Sequence, residues 1–398
     1  MQAVILAAGQ STRTHPLTVN RPKPLLEVLD RTILEHNLDQ LVGLVDDVML
    51  VVGYEAEQII GHIGDSYRGL RITYVRQTEQ RGTGHALEQA KPHLADRFMV
   101  LNGDDLFAHA DLAALAELQC GLLVAEVDDI TRFGAVHGSG SVVTAIDEKP
   151  TESSTNLANT GAYVLDSAAL AIELQPSERG ELEIIDYLAA LTDQGRLRMV
   201  TVTEYWLPVG YPWDYLEANV ALLRRVPSSE VAESAVIEDG VHLDGTVVIG
   251  PGTVVRSGTY VEGPVWIGEG CVVGPLAYLR PDTVLLDGVR TRAEIVDSVL
   301  MHGVTAKHDC YIGHSVIGER CNIAAGTITA DYRHDGATNW SVVNGRRVDS
   351  GRRKLGAFLG DDVRLGIGTL TYPGRKIWPG RTTLPGQVVE ADMGPSGV

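Results

Sequence analysis

The first residues that could do chemistry directly follow the first apolar stretch. This stretch ends in small residues, two hydroxyls and a guanidinium, Leu6-Ala7-Ala8-Gly9-Gln10-Ser11-Thr12-Arg13, and Lys23 follows in the segment RPKP. Small residues let backbone N–H groups approach a phosphate, while Arg13 and Lys23 supply positive charge. The sequence therefore predicts a phosphate site, although it has neither the dinucleotide-binding G-x-G-x-x-G nor the P-loop pattern.

A carboxylate is the second candidate. Asp104 lies just after the apolar stretch Phe98–Leu101. Ligands of parallel α/β sheets bind at the carboxyl ends of the strands, and a carboxylate that faces phosphates there would hold Mg²⁺. The alternative for Asp104 is an Asx turn at the end of a strand.

Three histidines, His302, His308 and His314, recur at intervals of six residues. Imidazole is neutral and basic near neutral pH, so it suits a general base. We expect no shared metal site, because neighbouring hexads face different sides of a coil. The alternative for His308 is a surface histidine.

The chain up to about Leu223 alternates strand-like and helix-like stretches. The strands are predicted at Val4–Ala7, Asp47–Val52, Ile72–Val75 and Phe98–Leu101, and the helices at Ile33–Val42, Glu55–His62 and Thr83–Lys91. This alternation predicts an α/β layer fold with a mainly parallel sheet.

The second half has a period of six residues, which is typical of a β-solenoid. Apolar or β-type residues recur in three runs: Ile249, Val255, Val261, Ile267, Val273, Leu279 and Leu285; then Val299, Thr305, Tyr311, Ile317, Ile323 and Thr329; then Leu359, Leu365, Thr371, Ile377, Thr383 and Val389. Three sides per coil would stack Ile249, Ile267 and Leu285. An antiparallel sandwich would instead need alternation with a period of two. We place the domain boundary between residues 226 and 227.

The repeats stop between Ala330 and Leu355. Asn344-Gly345 predicts a type I′ hairpin there. This stretch is the most basic of the chain, with Arg346, Arg347, Arg352, Arg353 and Lys354. It is either a solvated hairpin or an arm that binds a phosphorylated ligand.

Composition limits the class of protein. The 398 residues carry a net charge of −19, which argues against nucleic-acid binding. An apolar run long enough for a membrane span is missing, and we expect a soluble cytoplasmic protein. The cysteines at 120, 271, 310 and 321 form no C-x-x-C pair, so buried free thiols are expected.

The N-terminal motifs resemble those of the sugar-phosphate nucleotidylyltransferases. The similarity starts with LAAGQSTR and RPKPLLEV and continues in family order through Gln77, Gly82-Thr83-Gly84-His85-Ala86, Asn102-Gly103-Asp104, Glu148-Lys149-Pro150 and Asn159-Thr160-Gly161. The resemblance implies a Rossmann-like domain that joins UTP or dTTP to a sugar 1-phosphate and releases pyrophosphate.

The resemblance also implies roles for individual residues. Arg13 and Lys23 would clamp the phosphates, and Asp104 would hold Mg²⁺. The nucleotide would contact Leu6, Ala7, Ala8, Gly9, Gln77, Gly82 and Thr83, and the sugar phosphate Gly134, Glu148, Lys149 and Asn159. The chain departs from the family at Pro208, where an Asp is usually the second metal ligand, and we therefore hypothesise weaker metal binding.

The C-terminal half resembles the acetyltransferase domain of bifunctional enzymes that make UDP-N-acetylglucosamine, a left-handed β-helix. By that resemblance His308 takes a proton from the amino group of glucosamine 1-phosphate or galactosamine 1-phosphate as it attacks acetyl-CoA. The other pocket residues would be Arg280, Tyr311, Asn322, Ala325 and Asp331. Family members commonly form homotrimers.

Three departures affect this pocket, and one is that the lysines expected beyond Tyr332 are absent, with Ala337 and Trp340 in that region. A lysine expected in the segment 294–298 is missing, with Val296 there, and Asp331 replaces an asparagine. Losing a cation and gaining a carboxylate should weaken binding of a sugar phosphate unless the arginine-rich arm compensates.

We interpret the chain as a bifunctional enzyme, with N-acetylglucosamine 1-phosphate as the preferred nucleotidyl acceptor. Two alternatives stay open. One is a nucleotidylyltransferase whose β-helix is a scaffold or regulatory module, and the other is a non-catalytic sugar-nucleotide sensor.

Overall fold

The computed structural model describes residues 1–177 and 180–395. These residues form two compact units. The first unit comprises Met1–Gln10, Pro22–Leu26 and Arg31–Pro208, and the second comprises Ser11–Arg21, Glu27–Asp30 and the chain from Val209 onwards. Within the second unit Arg21 pairs with Glu319 and Asp361, at 2.5 and 2.7 Å. The domain boundary after residue 226 stays a prediction.

Strands and helices alternate through the first 223 residues. The strands are β1 (Gln2–Ala7), β2 (Glu27–Val28), β3 (Arg31–Thr32), β4 (Asp47–Val52), β5 (Ser66–Tyr67), β6 (Leu70–Arg76), β7 (Arg97–Asn102), β8 (Asp105–Phe107), β9 (Gly121–Glu126), β10 (Ala135–Ser139), β11 (Val142–Asp147), β12 (Leu157–Asp166), β13 (Arg198–Thr201) and β14 (Trp206–Pro208). The α-helices are α1 (Ile33–Leu41), α2 (Ala56–Ile63), α3 (Thr83–Ala90), α4 (His109–Ala116), α5 (Ile185–Asp193) and α6 (Pro212–Leu223). Short 3₁₀ helices cover Thr12–Thr14, Lys23–Leu25, Lys91–His93, Ile130–Arg132 and Ser167–Ala171.

Ten strands of the first unit form one sheet in the order β10-β11-β13-β9-β12-β7-β1-β4-β6-β5. The strands β7, β1, β4 and β6 are parallel neighbours. In contrast, β12 runs antiparallel to both β7 and β9. Parallel pairing, predicted from the sequence for most of the sheet, is therefore confined to this four-strand group and the β9–β13 pair, and all the other pairs of the sheet are antiparallel.

The central strands are buried on both faces, as in other layered α/β folds. In β1, Ile5 packs in one apolar cluster with helices α1, α2 and α4, whereas Val4 packs in another with α3 and α5. At the start of α1, Thr32 and Glu35 form a capping box that satisfies backbone N–H groups. These two layers fix the strand ends that carry the first candidate site.

The second unit contains the strands of the coils. They are β15 (Glu230–Val231), β16 (Val236–Ile237), β17 (His242–Asp244), β18 (Val247–Ile249), β19 (Val254–Val255), β20 (Tyr260–Glu262), β21 (Val265–Ile267), β22 (Val272–Val273), β23 (Tyr278–Leu279), β24 (Thr283–Leu285), β25 (Arg290–Thr291), β26 (Glu294–Val296), β27 (Ser298–Leu300), β28 (Thr305–Ala306), β29 (Tyr311–Gly313), β30 (Val316–Ile317), β31 (Asn322–Ile323), β32 (Ile328–Thr329), β33 (Trp340–Val343), β34 (Arg346–Asp349), β35 (Phe358–Leu359), β36 (Arg364–Leu365), β37 (Leu370–Thr371), β38 (Lys376–Ile377) and β39 (Val388–Val389).

All but β33 and β34 belong to three parallel sheets, to which successive strands contribute in turn. This is the left-handed parallel β-helix expected from the sequence. Ile249 pairs with Ile267, which pairs with Leu285, and all three are at most 1% exposed. The first hexad run is thus confirmed, and every member of the third run is likewise buried.

The second hexad run was predicted one residue out of phase in its first half. The core cluster of the β-helix contains Leu300, Ala306 and Ile312 in place of Val299, Thr305 and Tyr311, although Val299 is itself fully buried on the other face of its strand. The register shifts because this coil is shorter at its corners, where Asp297 and His314 adopt left-handed conformations with φ of 41° and 52°. Successive side chains of a strand point to opposite faces, so Tyr311 faces outwards.

The segment that interrupts the repeats folds as the predicted hairpin. Strands β33 and β34 pair antiparallel around Asn344 and Gly345, whose φ values of 47° and 75° fit a type I′ turn. The buried Lys376 ammonium donates to the carbonyl of Val342 at 2.9 Å and so holds the hairpin on the second unit.

The structure also bears on two expectations from composition. Among the described residues, none of the helices is both long and apolar enough to cross a membrane. The four cysteines are buried and free, as predicted.

Candidate active sites

The first site is built where parallel strands end side by side. Strand β1 lies between β4 and β7, so the ends of all three meet at one edge of the sheet. The N–H of Tyr54 donates to the carbonyl of Ala8, and that of Gly103 donates to the carbonyl of Leu6, both at 3.0 Å. These bonds fix the Leu6–Gly9 turn of the predicted nucleotide site.

Two glycines allow this close approach. A Cβ atom on Gly53 would lie 2.8 Å from the carbonyl oxygen of Ala8, and one on Gly103 would lie 2.8 Å from that of Leu6. Both distances are shorter than van der Waals contact. Any side chain at either position would push the strand ends apart.

Lys23 and Asp104 form the charged centre of this edge. The Lys23 Nζ lies 2.6 Å from Asp104 Oδ2, with the lysine side chain 3% and the aspartate side chain 37% exposed. Lys23 opens a short 3₁₀ helix after Pro22, whose φ is −70°. A buried ammonium beside a partly open carboxylate can meet a phosphate and a metal ion at one place.

Arg13 belongs to the second unit. Its guanidinium is exposed and lies over the Tyr211 ring, 5.7 Å from the centroid. Ser11, two residues earlier, is in the left-handed region with φ of 52°. An aromatic face stabilises an exposed guanidinium and leaves its N–H edges open to an anion.

The predicted base-reading residues lie together. Gln77 is 4% exposed, and its amide Nε2 donates to the carbonyl of Gly82 at 3.1 Å. The same nitrogen lies 3.0 Å from Nδ1 of His85. Thr83 accepts a hydrogen bond from the N–H of Ile184 at 3.2 Å, which ties the start of α3 to the segment before α5.

The predicted sugar-binding residues also converge. A Cβ atom on Gly134 would lie 3.2 Å from Glu148 Oε2 and 3.5 Å from Asn159 Cβ. The N–H of Asn159 donates to the Gly134 carbonyl at 2.8 Å. Lys149 has a φ of 44° and its Nζ lies 3.4 Å from Glu148 Oε1. Carboxylate and amide oxygens beside a glycine suit the hydroxyls of a sugar.

Pro208 occupies the position of the second metal ligand. It pairs with Asp105 between β14 and β8, and Asp105 Oδ2 accepts a hydrogen bond from Trp206 Nε1 at 3.2 Å. In residues 1–177 and 180–395, no three His, Cys, Asp or Glu side chains are grouped closely enough to hold a metal by themselves. Mg²⁺ is commonly bound by one or two carboxylates together with substrate phosphates, so the partly open Asp104 fits that use.

The second site lies on the β-helix around Tyr311. The Tyr311 hydroxyl donates to Asp331 Oδ2 at 3.0 Å. Burial and the neighbouring Asp331 raise the pKa of Tyr311, and Arg280 opposes that effect. The Arg280 guanidinium in turn donates to Glu294, whose backbone pairs with Tyr311 in register, at 3.0 Å. Arg280, Tyr311 and Asp331 therefore form one patch.

The remaining predicted residues of this site are on exposed or half-exposed positions. His308 is exposed in the turn between β28 and β29. Asn322 is exposed in β31, which pairs with β28, and the Ala325 carbonyl accepts from the N–H of Gly368 at 2.8 Å. An exposed imidazole on a coil is open to substrates from solution.

Sequence reasoning missed the contact between His314 and Asp331. His314 is 7% exposed, and its Nδ1 lies 2.8 Å from Asp331 Oδ2, a contact that becomes an ion pair when the imidazole is protonated. Its Nε2 lies 3.7 Å from Asp297, which also pairs with Arg352 at 2.7 Å. These residues come together at left-handed corners formed by Asp297 and His314. Because neither corner residue is a glycine, the sequence carried no signal for these corners.

The fold and the sites define a class of protein, a nucleotidyltransferase domain joined to a hexapeptide-repeat β-helix. The family described as nucleotidyl transferase matches residues 2–225. A bifunctional protein GlmU of Methanococcus maripaludis is 41% identical over 384 residues, which covers 95% of this chain and 92% of the relative. A bifunctional sugar-1-phosphate nucleotidylyltransferase/acetyltransferase of Sulfurisphaera tokodaii is 34% identical and covers 99% and 98%.

A solved structure supports the first half alone. A crystal structure from Bacillus anthracis, named as a glucose-1-phosphate thymidylyltransferase and complexed with sucrose, is 29% identical, with a TM-score of 0.53. It covers 58% of this chain and 98% of its own. This chain belongs to the family of bifunctional sugar-1-phosphate nucleotidylyltransferase/acetyltransferases.

Proposed function

We propose that this protein transfers a nucleotidyl group from UTP or dTTP to a sugar 1-phosphate, releasing pyrophosphate. N-acetylglucosamine 1-phosphate is the first candidate acceptor. The observation that carries the proposal is the Lys23–Asp104 pair at 2.6 Å, at the edge of the sheet where the Leu6–Gly9 turn lies. The family membership supports the same reaction.

The reaction needs positioning and charge neutralisation, not a protein nucleophile. A sugar phosphate oxygen forms a bond to the α-phosphorus, and the bond from that phosphorus to pyrophosphate breaks. The Lys23 ammonium meets the charge that develops at the α-phosphate, and Arg13 holds phosphate oxygens. Glu148 and Asn159 orient the sugar through its hydroxyls. Bound Mg²⁺, held by Asp104 and the nucleotide phosphates, would supply further charge neutralisation.

We further propose that the β-helix acetylates the amino group of glucosamine 1-phosphate or galactosamine 1-phosphate with acetyl-CoA. The amine attacks the thioester carbonyl, the C–N bond forms, and the C–S bond breaks to release coenzyme A as a free thiol. The exposed His308 accepts the proton that the amine loses and passes it to the departing thiolate, which leaves as the free thiol. Tyr311, Arg280 and Asp331 form the neighbouring patch, to which Asn322 and Ala325 add by family position.

A homotrimer is the assembly that we propose for the β-helix. One outer face carries an apolar ladder, Ile328 beside Leu370 beside Val388, and these side chains are 44%, 39% and 42% exposed. An exposed apolar stripe of this kind is typical of a surface that a second copy covers. Sedimentation equilibrium would test it, and a monomer at micromolar concentration would reject it.

Two assays on the purified protein test the two activities separately. Pyrophosphate release from UTP or dTTP with N-acetylglucosamine 1-phosphate reports the first, and free-thiol release from acetyl-CoA with each hexosamine 1-phosphate reports the second. We expect both. Pyrophosphate without thiol would reduce the β-helix to a scaffold, and neither product would leave a sugar-nucleotide sensor.

A further inference from the structure

A buried group of charged side chains surrounds Asp331, the residue that replaces the family asparagine. Asp331 Oδ2 accepts from the Tyr311 hydroxyl at 3.0 Å and lies 2.8 Å from Nδ1 of His314. His314 and Asp331 keep only 8% and 13% of their side-chain surfaces exposed. His314 and the Asp331 carboxylate are therefore both largely shielded from bulk water, which strengthens an electrostatic contact between them.

The arginine-rich arm adds cations to this group. Arg352 pairs with Asp297 at 2.7 Å, and Asp297 lies 3.7 Å from Nε2 of His314. Burial acts to raise the pKa of the Asp331 carboxyl, whereas His314, Tyr311 and Lys354 act to lower it, and the net effect is a lowered pKa. Lys354 contributes through its positive charge. The group thus contains two carboxylates, those of Asp331 and Asp297, together with His314 and two cations of the arm, Arg352 and Lys354.

Packing shows that the geometry around Asp331 is closely defined. A Cβ atom on Gly313 would lie 2.6 Å from Asp331 Oδ2 and 2.7 Å from the Tyr311 hydroxyl oxygen. The hydroxyl and the carboxylate thus close over a backbone that carries no side chain. Small displacements of either group would break their hydrogen bond.

The carboxylate poses a chemical problem for a sugar phosphate. An asparagine at this position is neutral, whereas an uncompensated Asp331 would repel a phosphorylated ligand. We propose that His314 is a positioning residue that offsets the charge of Asp331 and fixes its orientation, so that Asp331 and Tyr311 together bind a hexosamine 1-phosphate. This inference rests on the proposed acetyl transfer and assigns His314 and Asp331 to one functional unit.

A positioning role of His314 predicts a different result from a purely structural role. The variant His314→Ala leaves the carboxylate without its partner, so KM for glucosamine 1-phosphate should rise about tenfold with kcat within about twofold. Replacing the carboxylate as well, in His314→Ala/Asp331→Asn, should return KM to within about twofold of the original value. A structural role alone would give losses that add.

The experiment is a double-mutant cycle on the full chain. The four proteins are the native one, His314→Ala, Asp331→Asn and the double variant, assayed by thiol release at varied glucosamine 1-phosphate. His242→Ala, on the same sheet of the β-helix and stacked on Tyr260 at 4.5 Å, is the matched control and should leave KM unchanged. An unchanged circular dichroism spectrum and Tm of each protein report that the β-helix is folded.

An unchanged KM in His314→Ala overturns the inference, and so does a double variant no better than the single one. Calorimetric titration with glucosamine 1-phosphate tests this inference separately from the proposed acetyl transfer. The titration is done at saturating UDP-N-acetylglucosamine, which fills the nucleotidyl site. Binding with the same pattern of Kd but without thiol release would reject acetyl transfer and support the inference. The absence of binding by the native protein would overturn the inference itself.

Discussion

The two candidate sites are assembled in different ways. The nucleotidyl site gathers residues that are far apart in sequence, Lys23 and Asp104, at the ends of parallel strands, and it buries the lysine. The β-helix site takes Tyr311 and His308 from the outer side of one coil and leaves His308 exposed. A sheet edge thus supplies a charged pair with a buried lysine and a partly open carboxylate, while the surface of a coil supplies one side of a site to which other groups must be added. The hairpin arm, which supplies Arg352, is one such addition.

The largest expected effect comes from removing the general base that we propose for acetyl transfer, His308. In His308→Ala, thiol release should fall about 10²- to 10⁴-fold, the usual contribution of general-base catalysis. Pyrophosphate release should be unchanged, because the two sites use separate residues. His242→Ala is the control histidine of the β-helix. A decrease of less than about fivefold would show that acetyl transfer does not need this imidazole.

The converse variant is Lys23→Ala. Pyrophosphate release should fall about 10²- to 10³-fold, since removing one preorganised group that stabilises developing charge has that effect. Thiol release should stay at the native level. Lys91→Ala, whose ammonium donates to the Leu170 carbonyl at 2.5 Å in the same unit, is the matched lysine control. Equal losses in both assays would mean that the substitution had disturbed folding instead.

The variant Pro208→Asp tests how strongly the nucleotidyl site binds Mg²⁺. The new carboxylate would face the end of β8 and add a second oxygen ligand for Mg²⁺. We expect the Mg²⁺ concentration for half-maximal pyrophosphate release to fall about tenfold. Pro208→Leu controls for the loss of the ring. A native protein that is fully active at low micromolar Mg²⁺ would contradict the weaker metal binding that Pro208 suggests.

The smallest expected effect concerns pH. The hydrogen bond that His302 Nε2 donates to the Glu27 carboxylate raises the pKa of His302, although burial opposes it. The bond therefore stabilises the second unit fully below the unfolded pKa of about 6.5, and this stabilisation is lost as pH rises through the raised value. His302→Gln should lower Tm by about 1–3 °C more at pH 6 than at pH 8.5. Equal shifts at the two pH values would count against it.

Much of both regions could be predicted from the sequence, for physical reasons that differ. Hexad-spaced aliphatics such as Ile249 and Ile267 reveal a coil because each must enter the same core. The motif around Lys23 reveals its site because small residues and charge are needed together. The phase of Tyr311 could not be predicted, since non-glycine corners at Asp297 and His314 shorten the coil. His314 was missed as a partner of Asp331 because that contact depends on those corners.

The hairpin arm has a consequence for how this molecule can change. Residues 330–357 leave the stack after β32, and β35 then pairs with β30, so the coils continue as if nothing had been inserted. Loop-closure entropy grows slowly with length, about 0.6 kcal/mol for each doubling. An insertion here is therefore inexpensive and leaves the register of the stacked aliphatics intact. The turn of the arm at Asn344-Gly345 can therefore change in length without disturbing the stacked aliphatics, whereas Asp331 and Arg352, near the two ends of the arm, are held by their own contacts.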